Sequence, residues 1–267
     1  MRIFILTMDD PVYTRKFISD IILERKSDII GLAVVKGNRL KLGKGKSRIA
    51  YIFSLLLIMG FKDFFLNSFD TILFRFKFFL NKISILKEDP SIASFAHSKG
   101  IKTYKISNPN DINFLHILQK SKPDIIINQS QSILKKKLLS IPKIGVLNRH
   151  NALLPKNRGR LTPFWVIFYN QKYTGVSIHF VEEGIDSGDI LVQRKFKVNM
   201  HDNFNTIAKK NYEIAALAML DALKLIETKK YKTIDNDDKF ATYNTTPTLK
   251  EALVYRIKIL KRNIWKR

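Results

Sequence analysis

Apolar residues along the chain fall into two rhythms. Short continuous runs such as Ile3-Phe4-Ile5-Leu6, Ile29-Ile30-Gly31-Leu32-Ala33-Val34-Val35 and Ile125-Ile126-Ile127 are too short for helices and lack a wet face. They read as strands buried on both sides. Between the first two runs, Phe17, Ile18, Ile21 and Ile22 repeat at helical spacing within residues 12–26. The alternation continues. Strands are expected over 101–106, 124–128, 144–147, 174–180 and 190–198, and helices over 91–99, 111–120, 162–170 and 203–227. Asp89-Pro90 offers a cap and a first-turn proline for the helix at 91–99, and Gly100 a stop. Strand and helix alternating in this way predict an α/β fold on a doubly wound, mostly parallel sheet.

Residues 36–88 interrupt that pattern. A basic, glycine-punctuated stretch from Lys36 to Arg48 precedes an apolar run at 49–59 and a Phe- and Leu-rich segment at 61–85, read as two helices. The first run is about half of the ~20 residues needed to cross a bilayer, so a spanning helix is not expected. A helical hairpin packed on the sheet or on a second copy is the first reading, which would make a homodimer. An interfacial membrane anchor, helped by the basic stretch, is the second. The resulting division is a main domain at 1–228, with a helical insertion at about 36–88, and a basic C-terminal extension at 229–267. That extension ends in an amphipathic helix at 248–265, read as solvated.

Composition narrows the chemistry. A length of 267 residues with 45% apolar residues can fill a sizeable core, and the absence of cysteine excludes disulfides and thiolate metal sites. The five histidines show no paired metal-ligand spacing, so no metal is expected. A formal charge of +24 reflects lysine-rich surface habit or anionic partners such as nucleotides, RNA or lipid head groups. The N-terminal run meets Asp9, Asp10 and Pro11 at once, as a first strand does and a signal peptide does not, so a cytoplasmic protein is expected, peripheral at the inner membrane face if the anchor reading holds. The loop after that strand, Thr7-Met8-Asp9-Asp10-Pro11, has two acids and no glycine, which disfavours a dinucleotide site.

The chemistry concentrates just after the strand at 144–147. Asn148 and His150 are two apart, so in extended chain they share one side of the strand, where open α/β sheets place ligands. Arg158-Gly159-Arg160 follows, and about 36 residues beyond His150 comes a carboxylate- and glycine-rich turn, Val181-Glu182-Glu183-Gly184-Ile185-Asp186-Ser187-Gly188-Asp189. No serine stands in a nucleophile-elbow pattern.

Asn148-x-His150-x-x-Leu153-Leu154-Pro155, Arg158-Gly159, Thr174-Gly175-Val176 and Gly184-Ile185-Asp186-Ser187-Gly188 together resemble the formyltransferase family that uses 10-formyltetrahydrofolate. The resemblance is good over about 100–200 and weak over the first 35. It implies a Rossmann-like formyltransferase fold, 10-formyltetrahydrofolate as co-substrate and a catalytic triad of Asn148, His150 and Asp186. It further implies folate contacts at Ser132, Leu134, Glu183 and Ile185. Arg-Gly-Arg-x-x-Pro-x-Trp at 158–165 is similar to sugar-nucleotide N-formyltransferases, which implies a nucleotide-linked amino sugar as acceptor, held by Arg158, Arg160 and Trp165. The methionyl-tRNA branch carries a further C-terminal domain for which the tail is short, so tRNA is the second acceptor. A 10-formyltetrahydrofolate hydrolase and a non-catalytic membrane-attached scaffold are the remaining readings. The glycine-free loop at 7–11 disfavours the glycinamide ribonucleotide branch.

Overall fold

The computed structural model describes residues 1–10, 14–36, 47–86, 90–229 and 231–264. Its centre is a seven-stranded sheet in the order β3-β2-β1-β4-β5-β7-β8, a Rossmann-like doubly wound arrangement. The strands are β1 (Ile3–Thr7), β2 (Ile29–Val35), β3 (Thr103–Ile106), β4 (Ile125–Asn128), β5 (Gly145–His150), β7 (Tyr173–Phe180) and β8 (Ile190–Lys197). The first five run parallel; β7 and β8 are antiparallel to their neighbours. Alternation along β1 explains why both faces had to be apolar. Ile3 and Ile5 face one core cluster with α1 (Thr14–Arg25), α4 (Ile92–Ser98) and α8 (Phe204–Glu227), while Phe4 and Leu6 face a second with α5 (Ile112–Ser121) and α6 (Lys136–Leu139).

Local signals set the helix ends. Ser91, Asp111 and Asn203 accept backbone N–H bonds as N-caps, Asn203 in a capping box with Thr206. The helix expected from Asp89-Pro90 therefore takes Ser91 as its cap; Asp89 lies outside the described residues, as does the basic stretch 37–46.

The insertion forms two helices, α2 (Arg48–Met59) and α3 (Phe61–Lys82), that meet at Gly60. Packing divides them. Ile58 of α2 joins a third core cluster with α7 (Thr162–Phe168) and α9 (Leu249–Ile264), whereas α3 buries no residue. The hairpin expected on the sheet or on a second copy thus packs α2 on the helices of its own chain, while α3 touches that chain through contacts such as Asp63 with Asn205. The solvated C-terminal helix needs a correction too: Ala252, Tyr255 and Ile259 of α9 are buried, and the Tyr255 hydroxyl accepts from the Phe204 N–H at 2.7 Å. Residues after α8 return to the sheet side of the molecule, pairing Ile234 with Ile190 and Tyr243–Asn244 (β9) with Arg158–Gly159 (β6). The extension is therefore woven into the domain it was expected to follow.

Candidate active site

β5 runs on past the apolar residues that define it, so Asn148 and His150 leave on one side and Arg149 on the other. Arg149 is buried between the rings of Phe17 and Tyr212, at 4.7 and 4.5 Å from their centroids. On the site side, three chain segments converge at the carboxyl end of β4 and β5. Gln129, just past β4, donates to Asn148 Oδ1 at 2.9 Å. That bond fixes the amide so that Nδ2, the donor end, points away from Gln129 and lies 3.3 Å from His179 Nε2. His179 is the direct partner of Asn148 across the antiparallel β5–β7 pair.

Asp186 sits in the turn between β7 and β8 with φ +49°. One carboxylate oxygen is 3.3 Å from His150 Nδ1 and accepts the Gly159 N–H at 2.9 Å; the other is 3.6 Å from His179 Nε2. Gly159 cannot be replaced at this approach: its φ is +99°, and a Cβ there would lie 2.2 Å from the carbonyl oxygen of Asn244. Asn236 then anchors the turn from behind, donating to the carbonyls of Asp186 and Gly188 at 2.8 and 2.9 Å.

Proton positions follow from the partners. His150 Nε2 lies 2.8 Å from the Asn157 carbonyl, which only accepts, so Nε2 carries hydrogen and Nδ1 is the basic nitrogen. Likewise His179 Nδ1 donates to the Phe180 carbonyl at 2.7 Å, leaving Nε2 toward Asn148 and Asp186. Burial lowers the pKa of His150, and the neighbouring Asp186 charge reverses only part of that. For Asp186 burial acts upward, but the His150 and His179 imidazoles beside it, which a proton taken up in the site charges first, and the Gly159 N–H hold the carboxyl well below the usual carboxylate range.

The remaining expected contacts divide. Ser132 is half-buried, and Glu183, Ile185 and Arg160 are exposed, all on loops bordering the cluster. Leu134, expected at the folate, instead packs in the core with Leu138 and Val146. Arg158, expected at the acceptor, has no exposed surface. Its guanidinium donates to Asn236 O and Oδ1 at 2.7 and 3.0 Å and to Asp238 and Tyr243 at 2.6 Å each. Trp165 is buried as well, its indole N–H donating to Thr245 O at 3.1 Å. Both side chains are spent inside the fold. Sequence reasoning missed His179, Gln129 and Asn236. The available signal was His179 itself, seven residues before Asp186 on a clear strand.

No group of three or more His, Cys, Asp or Glu side chains poised for a metal exists among the described residues. A wide depression lined by Arg2, Lys122, Asp124 and Lys143 lies where β1, β4 and β5 begin, the end of the sheet opposite to the cluster. Parallel sheets bind ligands at their carboxyl ends, so that depression is not the candidate site.

This fold, with an amide, two imidazoles and a carboxylate at the carboxyl end of its parallel strands, defines a class. The formyl transferase family matches residues 83–223, more than half of the chain, and the chain belongs to it. A methionyl-tRNA formyltransferase of Prochlorococcus marinus (strain AS9601) is 36% identical over 143 residues, 53% of this chain and 44% of that protein. The bifunctional polymyxin resistance protein ArnA of Wigglesworthia glossinidia brevipalpis is 35% identical over 144 residues, 54% of this chain and 22% of that one. The chain spans about half the length of the curated methionyl-tRNA formyltransferases it matches. Among solved structures, an N-formyltransferase from Helicobacter canadensis in complex with folinic acid and dTDP-3-aminofucose is similar at TM-score 0.56 and 15% identity, over 92% of this chain and 71% of that one. Glycinamide ribonucleotide transformylase 1 from Symbiobacterium toebii is similar at TM-score 0.60 and 13% identity, over 88% and 94%. At these identities the likeness is one of fold.

Proposed function

We propose that this chain transfers a formyl group from 10-formyltetrahydrofolate to an amine, with Asn148, His150 and Asp186 as the acting groups. The observation that carries this reading is that Asp186, from the β7–β8 turn, lies against His150 of β5 and beside His179, which bonds Asn148, in a chain of the formyl transferase family. When bound, 10-formyltetrahydrofolate would supply the formyl carbon and the departing nitrogen. The surroundings fit such a flat, partly apolar group. The loops on either side of the cluster carry exposed isoleucines, Ile133 at 84% and Ile185 at 63%, with Ser132 and Glu183 beside them.

Each residue has a task that its geometry suits. Asn148 Nδ2, held by Gln129, is a neutral N–H donor for a developing oxyanion, a role worth roughly 3 kcal/mol. His150, kept neutral by burial, takes the amine proton at Nδ1 and passes it on to the folate nitrogen as its bond to the formyl carbon breaks, while Asp186 stabilises the imidazolium between the two transfers. His179 Nε2 accepts from Asn148 Nδ2 and so orients that amide beside the Asp186 carboxylate. No covalent enzyme intermediate is required.

For the acceptor, a nucleotide-linked amino sugar remains the first reading. Arg160 is exposed beside Gly159, whose N–H touches the catalytic carboxylate, and a guanidinium suits a diphosphate. Methionyl-tRNA is the second, favoured by the names of the curated relatives. Incubation with 10-formyltetrahydrofolate and either a panel of nucleotide-linked amino sugars or methionyl-tRNA, read by mass spectrometry, separates them. Formyl gained by a sugar supports the first reading, and formyl gained by tRNA alone replaces it with the second. Formate release without acceptor indicates a hydrolase, and no consumption of the folate overturns the proposal.

A further inference from the structure

α3 is a 22-residue helix with no buried residue. Phe61, Phe65, Phe69, Ile72, Phe76 and Phe79 follow at steps of four and three, so at ~100° per residue they share an arc of roughly 80°. Each is between 51 and 70% exposed. A contiguous apolar stripe of this kind marks an interaction surface. It is not a core face turned outward, because another side of the helix meets the protein: Phe64, Asn67, Ser68, Thr71 and Phe74 are half-buried, and Asp63 accepts from Asn205 Nδ2 at 2.5 Å. Formyl transfer does not account for the stripe, since the family match begins at residue 83, beyond α3.

We propose that the α3 stripe docks this protein on an anionic lipid bilayer, with the helix lying in the plane of the interface. Charge selects this occupant. Exposed Lys62 and Lys77 border the stripe on one side and exposed Arg75 and Lys82 on the other, the arrangement of an interfacial amphipathic helix. A second copy would set the cations of α3 against their own copies in a chain of net charge +24, whereas anionic head groups neutralise them. Geometry selects lying over crossing. No single described helix is long and apolar enough to span a membrane, and α2 and α3 qualify only as a pair bent by 119°. Beside α2, α9 repeats the pattern with Leu249, Leu253, Ile257 and Leu260 at steps of four, four and three, each 45 to 51% exposed.

The test is flotation of the full chain with vesicles of phosphatidylcholine containing phosphatidylglycerol, against phosphatidylcholine alone. Co-flotation with the anionic vesicles, weakened by salt and reduced at least about tenfold in Phe69→Glu/Phe76→Glu, is the expected result. A second variant, Lys62→Glu/Lys77→Glu, ought to weaken binding to anionic vesicles at unchanged circular dichroism. Absence of flotation overturns the proposal, as does binding that the Phe69→Glu/Phe76→Glu variant retains in full, which would be adsorption by charge alone. A lipid-free dimer that this variant dissociates, seen by sedimentation velocity, also overturns it, because the stripe would then be covered by a second copy. None of these outcomes depends on formyl transfer.

Discussion

Arg158→Met removes a buried cation that the sequence places at the acceptor and the structure places inside the fold. The thioether keeps the apolar bulk, so the measured loss isolates the guanidinium's bonds. Two of these go to Asn236, which is 4% exposed, and the substitution leaves a buried carbonyl and a buried amide oxygen without donors. At about 1–3 kcal/mol for each stranded group the loss is roughly 2–6 kcal/mol. Asp238 adds little, because its side chain is 80% exposed and its ion pair is screened. An unfolding free energy lower by about 2–6 kcal/mol is therefore expected, read as a fall in the urea midpoint at constant slope. Asn236 also holds the Asp186 and Gly188 carbonyls, so the surviving activity ought to fall in kcat with the acceptor KM little changed. Stability within about 0.5 kcal/mol of the parent, combined with a raised acceptor KM, would refute this argument and return Arg158 to the substrate.

Three further outcomes follow from the site. His150→Ala and Asp186→Asn should each lower turnover at least about a hundredfold with circular dichroism unchanged; near-normal turnover in either removes that residue from the mechanism. Gly159→Ala places a side chain at φ +99° against the Asn244 carbonyl, and ought to cost about 1–3 kcal/mol in urea unfolding while displacing the N–H that holds Asp186. Finally, both His150 and Asp186 bind protons less readily folded than unfolded, so the unfolded chain takes up more protons as pH falls and stability drops. The drop starts as pH passes below about 6.5, where an unfolded histidine charges, and deepens below about 4, where an unfolded aspartate does. Asp186→Asn should flatten the lower part of a Tm-against-pH curve, and a Tm that rises on acidification contradicts the assignment.

The sheet was legible because its central strands β1, β2 and β4 are apolar on both faces, which leaves few other structures for such runs. Helix ends were legible to within a few residues where a side chain caps them, as at Asp111 and Asn203. What could not be read was the far side of any contact. The antiparallel return of β7 onto β5 brings His179 opposite Asn148, but nothing in either strand names its partner. Asn236 is further away still, about 50 residues beyond the turn it clamps, in a stretch with no periodicity.

Side-chain parity separates the parts of the site that sequence reached from those it did not. Asn148 and His150 were placed on one side by the two-residue repeat of a strand, and that repeat holds through β5, sending Arg149 to the opposite face. The same rule puts Arg158 and Arg160 together as a pair. There it fails, because Gly159 between them has φ +99°, outside the extended region, and the chain turns. Arg158 is driven inward to Asn236 while Arg160 stays at the surface. The glycine that breaks the pattern is also the one whose N–H binds Asp186, and at φ +99° against the Asn244 carbonyl only glycine fits. Local rules thus fail at the residue whose backbone is bent to serve the site, and that failure is itself a pointer to the carboxylate it holds.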